Sequence, residues 1–270
     1  MLAVEINLQQ LEVRMGFGRS FITMGCLLGS LWACAAQAIE LRSGSEAATT
    51  IELYTSEGCS SCPSADAWLS ELSDDPNIFT RLIPLAFHVD YWNQLGWKDR
   101  FSSPQYSRRQ REMSSAGLLS QVYTPGFVVN NREWRGWFSR GRSVKPDQLP
   151  TTKQPAGVLT VQWPKDSQLM STSYTPINLK AKGLRLHVAV LGMGLETHVR
   201  RGENRGRVLR HDFVVLSHLE YTLRDEGQKI LSKRIAAPNI PDQGQQKSAI
   251  VVWVSEGESP AIVQAVAGYL

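Results

Sequence analysis

Apolar residues recur with a helical step in the first half of the chain and with a step of two in the second. Thr49-Thr50-Ile51-Glu52-Leu53-Tyr54 is a short β-branched run that predicts a buried strand over 49–55. Ala65, Trp68, Leu69 and Leu72 then fall at i, i+3, i+4 and i+7. They form one face of a helix that runs to about Ser73, ahead of Asp74-Asp75-Pro76. Arg81 to Val89 is apolar and β-rich, a second strand with Pro84 near its start. Strand, helix and strand in this order imply a right-handed βαβ unit with parallel strands. Ser103-Pro104 supplies a cap and a proline at the first helical position; the helix carries Tyr106, Arg108, Arg109, Arg111 and Met113, and Gly117 suits its end. Phe127–Asn130 and Trp134–Phe138 read as the two strands of a hairpin. Gly141 to Pro150 offers little room for a further helix, which leaves the far face of the sheet open unless another part of the chain packs there.

Thr151 to Ala156 reads as a linker, and beyond it the strands alternate. Val158–Trp163, Leu184–Leu191, Phe213–Leu216 and Ala249–Val254 are short, separated by turn residues, and suggest an antiparallel sandwich. The expected organisation is an α/β domain over 39–150 followed by a mainly antiparallel, β-sandwich-like region over 151–270.

Residues 1–38 stand apart from both. Arg19 precedes the apolar run Phe21 to Ala33, and Ala36-Gln37-Ala38 follows as an A-x-A cleavage pattern. This predicts a secretory signal peptide, and hence a periplasmic or secreted protein with no stable membrane span after cleavage. Glu5 and Glu12 are unusual in such a leader, and Met15 would give a cleaner start. Leu31-Trp32-Ala33-Cys34 offers a rival lipid-attachment site at Cys34, though Trp fits that position poorly. Hydrophobic content of 42% and charge of 20% fit a globular protein with a substantial core. The net charge of +4 is spread out, with no basic run interleaved with aromatics, so nucleic acid is not an expected partner.

Cleavage after Ala38 would remove Cys26 and Cys34 and leave Cys59 and Cys62 as the last cysteines of the chain. They form a C-x-x-C at the predicted strand-to-helix turn. In the first turn of a helix, free N–H groups and the positive end of the helix dipole favour a thiolate. Cys59 is the expected exposed nucleophile, and Cys62, one turn further in, can close a small ring with it. Zinc sites use the same spacing but call for a second pair of ligands. A structural staple is the bland alternative, yet so short a loop restricts the unfolded chain little. Glu57, two residues before Cys59, would raise the thiol pKa if it pointed at it.

Val122 to Asn131 reads as an X-Pro turn entering an apolar strand, and here the sequence resembles the thioredoxin-like superfamily. The resemblance implies a cis-proline beside the redox cysteines at Thr124-Pro125, with the Thr124 backbone left to hold an extended substrate segment. Four blocks are also similar to the DUF1223 family of bacterial secreted proteins, over residues 48–270. They are Tyr54 to Pro63, Phe87-His88-Val89-Asp90-Tyr91-Trp92-Asn93, Tyr123-Thr124-Pro125, and Arg201-Gly202-Glu203-Asn204-Arg205-Gly206-Arg207. That likeness implies a thioredoxin-like fold and a chemistry class but brings no substrate.

His88 and Asp90 alternate at the carboxyl end of a predicted parallel strand, where sites form in open α/β sheets. They read as a proton shuttle for Cys62, or as a hydrogen-bonded pair holding the Asp90–Asn93 loop. Tyr91, Trp92 and Trp97 either line a substrate groove or belong to the core. Arg108, Arg109 and Arg111 read as a solvated face. Arg200 to Arg207 reads as a hairpin loop packed on the redox domain. The function expected is an exported thiol–disulfide oxidoreductase in which Cys59 and Cys62 exchange disulfides through a mixed disulfide. It needs no diffusible cofactor, since the disulfide carries the electrons; its partners would be a protein or small thiol substrate and a second redox protein. The alternatives are a soft-metal (copper) module using Cys59, Cys62 and His88, and a non-catalytic interaction protein.

Overall fold

The computed structural model describes residues 38–140, 143–177, 183–223 and 229–270. The expected signal segment up to residue 37, with Met15, Cys26 and Cys34, lies outside the described residues. Among them no helix is long and apolar enough to cross a membrane.

The first half supplies β1 (Ala38–Arg42), β2 (Thr49–Thr55), α1 (Pro63–Glu71), β3 (Leu82–His88), α2 (Pro104–Ser115), β4 (Gly126–Val129), β5 (Arg132–Glu133) and the short α3 (Gly136–Arg140). The second half is β-sheet: β6 (Val158–Pro164), β7 (Leu169–Thr175), β8 (Leu184–Met193), β9 (Leu195–His198), β10 (Val208–His211), β11 (Val214–Thr222), β12 (Leu231–Ala236), β13 (Lys247–Glu256) and β14 (Ile262–Tyr269). The protein is thus mostly sheet with few helices. Several of these elements follow from local chemistry. Ser103 accepts from the Gln105 N–H at 3.3 Å and Pro104 opens α2, the cap expected there. β2 and β3 pair in parallel, with Leu53 opposite Ala86 and Thr55 opposite His88.

Eight strands form one mixed sheet in the order β14-β13-β8-β11-β3-β2-β4-β5, and four more form a second in the order β1-β6-β7-β12. The large sheet crosses the expected boundary at 150/151. β11 runs parallel to β3 at Val214 opposite Ala86, and the Ala86 N–H donates to the Phe213 carbonyl at 2.9 Å. The main core draws Ile51, Leu53, Phe87 and Phe127 from one half, and Leu191, Phe213, Val251 and Trp253 from the other. The described residues belong to one compact unit, with the large sheet continuous across residues 150 and 151. Strand periodicity identifies β3 and β11 but not the pairing between them. The free edge of β3 needs backbone partners, and β11 provides them. A second core, including Leu159, Met170, Leu186, Val188, Ile235, Val252 and Val266, lies between the four-stranded sheet and the β8–β13–β14 part of the large one.

Two local expectations are corrected. Trp134–Phe138 is not a strand: β5 is two residues long and the chain turns into α3 at Gly136. Trp134 instead packs on Trp68, with ring centroids 5.5 Å apart, while Trp68 meets Phe127 edge-on at 5.3 Å. The Trp68 indole donates to the Val144 carbonyl at 2.9 Å, and Val144 and Leu149 are buried in the main core. Val144 and Leu149 thus pack onto the main core beside Trp68 of α1. Arg109 is not solvated. It is 5% exposed and grips Glu52 with Nε to Oε2 at 2.8 Å and Nη2 to Oε1 at 3.0 Å. The Tyr54 hydroxyl also donates to Glu52, at 3.0 Å. Apolar spacing on α2 cannot reveal an arginine whose counter-ion lies on β2.

Candidate functional site

The chain leaves β2 at Thr55, turns through Ser56 to Ser61, and enters α1 at Pro63. The Cys59 N–H donates to the Ser56 carbonyl at 3.1 Å, and the Cys62 N–H to the Cys59 carbonyl at 3.3 Å. Cys62 is the N-cap of α1, and Cys59 lies in the turn before it, rather than both in the first helical turn. The two are joined as a disulfide. Cys59 is 1% exposed, so the expectation of an exposed nucleophile is corrected. The turn is enclosed on two sides. A side chain at Gly58 would place its Cβ 3.0 Å from Trp92 Cβ, so the base of the Trp92 side chain lies directly on the glycine.

Trp92 is half-buried and donates from its ring nitrogen to Thr124 Oγ1 at 2.8 Å. The Thr124–Pro125 bond is cis, and Pro125 is buried. Trp92 thus links the cysteine turn, through its Cβ, to the proline loop, through its ring nitrogen. Tyr91 lies beside Trp92: its hydroxyl donates to Gln110 Oε1 at 3.1 Å and also faces Thr124, and burial pushes its pKa up to about 12. Trp97 donates to Glu57 Oε2 at 2.7 Å.

The loop between β9 and β10 holds the turn from the other side. Asn204, 1% exposed, donates from its amide to the Glu57 carbonyl at 2.8 Å and to the Cys59 carbonyl at 2.9 Å. Arg207 donates to Asn204 Oδ1 at 2.9 Å, and the Ser60 N–H donates to Glu203 Oε2 at 3.0 Å. Gly202 sits at φ +75, and its Cβ would fall 3.1 Å from Trp97 Cβ. The Arg201–Arg207 block therefore acts through its backbone shape and its Asn and Glu side chains, as a clamp on the cysteine turn.

Beneath the turn is a buried polar cluster. Glu57 points away from the cysteines and into it, with Oε1 3.5 Å from His211 Nε2. Asp66 lies one turn into α1, accepts from Thr55 Oγ1 at 3.0 Å, and faces His211 Nδ1 at 3.7 Å. Burial raises the Asp66 pKa, against the pull of His211 and His88. His88 contacts Asp99 rather than Asp90, with Nδ1 2.7 Å from Oδ2. Burial alone would lower the His88 pKa, but Asp99, Asp66 and Glu57 outweigh it and hold it at about 9. Burial disfavours the Asp99 carboxylate, yet His88 and two backbone N–H groups leave its pKa lowered. The His88 and His211 rings meet edge to face, 5.0 Å apart. Glu57 Oε1, His88 Nε2 and both His211 nitrogens are buried without a hydrogen-bond partner among the described residues. Such groups cost about 1–3 kcal/mol apiece when left unsatisfied.

The expected site residues are therefore brought together only in part. Cys59, Cys62, Trp92, Thr124 and Pro125 share one region. His88 lies in the cluster below. Asp90 is separate and pairs with Ser107 on α2 through both its backbone and its carboxylate. Among the described residues the cysteines do not group with His88 as metal ligands; the group that does assemble is Asp66, His88 and His211. Glu57, Asp66, Asp99, Asn204 and His211 were not among the expected site residues. Asp66 falls four residues past Cys62, on the helix face that carries Ala65 and Leu69, where a carboxylate is out of place. The other four are brought in by loops and a distant strand.

This arrangement defines a mixed-sheet protein in which a C-x-x-C disulfide caps a helix above a buried carboxylate–histidine cluster. The family described as Protein of unknown function (DUF1223) matches residues 50–255, and the chain belongs to that family. A comparison with curated proteins finds no match. Among solved structures, protein AGR_C_4864 from Agrobacterium tumefaciens is similar at 22% identity, over 83% of this chain and 95% of that one, with a TM-score of 0.49. HBP35 of Porphyromonas gingivalis is similar at 16% identity, over 84% of this chain and 76% of that one, with a TM-score of 0.51.

Proposed function

We propose that the protein is an exported thiol–disulfide exchange protein that works through Cys59 and Cys62 on a thioredoxin-like strand–turn–helix unit. The observation that carries this reading is the disulfide itself, placed between a parallel strand and a helix N-terminus and bridged by Trp92 to the Thr124–Pro125 loop. A staple has no need of that setting. A thiolate from a protein or small-molecule substrate attacks Cys59 Sγ, the Cys59–Cys62 bond breaks, and Cys62 leaves as a thiolate that takes up a proton. A second substrate thiolate attacks the mixed disulfide and releases Cys59. The substrate gains a disulfide, the pair gains two electrons and two protons, and a partner redox protein restores the starting state. The reverse sequence reduces a substrate disulfide. No diffusible cofactor enters either direction.

Because Cys59 is buried, exchange requires the turn to become accessible, and the 199–207 loop is the element whose release would do so. The test is a redox titration in glutathione or dithiothreitol buffers, with each point trapped by alkylation and read by intact mass. A reversible two-thiol step assigned to Cys59 and Cys62 supports the proposal, and its midpoint gives the direction. No step between fully reducing and fully oxidising buffers refutes it. If Cys59→Ser retains the biological activity, the protein acts as a non-catalytic interaction partner instead.

A further inference from the structure

The geometry points to a divalent metal site beneath the disulfide turn, formed by Asp66, His88 and His211. One ligand atom from each of these buried side chains lies within 4.8 Å of the other two. Ligands held 2.0–2.2 Å from a common cation stand about 3–4.4 Å apart, so a bound ion draws the three inward by tenths of an ångström.

Hydrogen bonding gives an independent reason. His88 Nδ1 is engaged by Asp99 Oδ2 at 2.7 Å, which leaves Nε2 as the nitrogen that a cation would take in place of a proton. Among the described residues no hydrogen bond reaches that Nε2, or either nitrogen of His211. His211 Nδ1 is on the Asp66 side, 3.7 Å from Oδ2, and Nε2 is on the Glu57 side, 3.5 Å from Oε1. With Nδ1 on the cation, Nε2–H faces Glu57. Each imidazole then has a carboxylate behind it, Asp99 for His88 and Glu57 for His211. That is the outer-shell arrangement that orients metal-bound histidines. Two nitrogens and one carboxylate oxygen, with no sulfur, suit Zn2+ or a neighbouring first-row divalent ion rather than Cu(I). The site is separate from the cysteine sulfurs, which are bonded to each other. It does not depend on thiol exchange.

The test uses the untagged full chain, stripped with a chelator and titrated with Zn2+ by calorimetry, with Co2+ as a spectroscopic probe. The expected results are one Zn2+ per chain, a melting temperature raised by Zn2+, and Co2+ bands without sulfur charge transfer. His211→Ala and Asp66→Ala, each confirmed folded by circular dichroism, are expected to weaken Zn2+ binding by about 100-fold or more. The Cys59→Ser/Cys62→Ser variant is expected to keep the wild-type affinity. Should the alanine variants fail to fold, His211→Gln replaces them, and the wild-type stoichiometry and melting shift still decide. Absence of binding at about 1 mM Zn2+, unchanged affinity in the ligand variants, or loss of binding in the cysteine variant would each overturn the assignment.

Discussion

If the β9–β10 loop guards the disulfide, releasing it should speed reduction without unfolding the protein. Asn204→Ala is the sharpest way to do so. It removes the two hydrogen bonds to the Glu57 and Cys59 carbonyls, at 2.8 and 2.9 Å, and the one accepted from Arg207 at 2.9 Å. Each is worth about 0.5–1.5 kcal/mol net, so about 2–3 kcal/mol of clamping is lost once overlap among the three is allowed for. If reduction proceeds through local opening, the rate follows the population of the open form. At 1.4 kcal/mol per factor of ten, that is an acceleration of about 30- to 140-fold. The assay is reduction by dithiothreitol in the absence of denaturant, quenched by alkylation and read by intact mass. Arg210→Ala, on the same hairpin but 81% exposed, controls for a general effect of altering the strand. A rate within twofold of wild type in a folded Asn204→Ala protein would refute the guarding role. So would equal acceleration by Arg210→Ala.

Three further outcomes follow from groups held by the fold. Arg109→Leu strands the Glu52 carboxylate in the core and should cost about 3–5 kcal/mol in urea unfolding, whereas Arg109→Leu combined with Glu52→Leu should recover most of it; equal losses in single and double variants would contradict this. His187 is held neutral, first by burial and then by His218 and Arg109, with its pKa lowered to about 2. The unfolded chain therefore takes up a proton that the fold refuses, so His187 contributes its full stability above about pH 6.5 and loses it as the pH falls below that value. The part due to His187 should reach about 2 kcal/mol at pH 5; the urea profile of a folded His187→Phe variant should fall by that much less than wild type, keeping the loss carried by His218, whose pKa burial also lowers, to about 3. Ser103→Ala removes the N-cap of α2 and should lower stability by about 1 kcal/mol, read as a reduced urea midpoint at constant slope.

What sequence alone conveys here is set by distance along the chain. β2, α1, β3 and α2 announce themselves because each is fixed by its own period, cap or proline, and the C-x-x-C falls where strand gives way to helix. The cluster under the disulfide could not be read in the same way. His88 looks paired with Asp90 because the two alternate on one strand, yet Asp90 turns to Ser107 and the loop returns Asp99 to the ring instead. His211 comes from the hairpin of β9 and β10, in the half expected to form a separate sandwich. The link is the parallel contact of β11 with β3, which continues the sheet across the linker and carries that hairpin to the cysteine turn. α1 and β10 then pack together, and Asp66 and His211 meet. The second half of the chain is therefore not an appendage to the disulfide site. It supplies Asn204, Glu203 and His211, and truncation at the linker would expose the turn and remove one imidazole of the cluster in a single step.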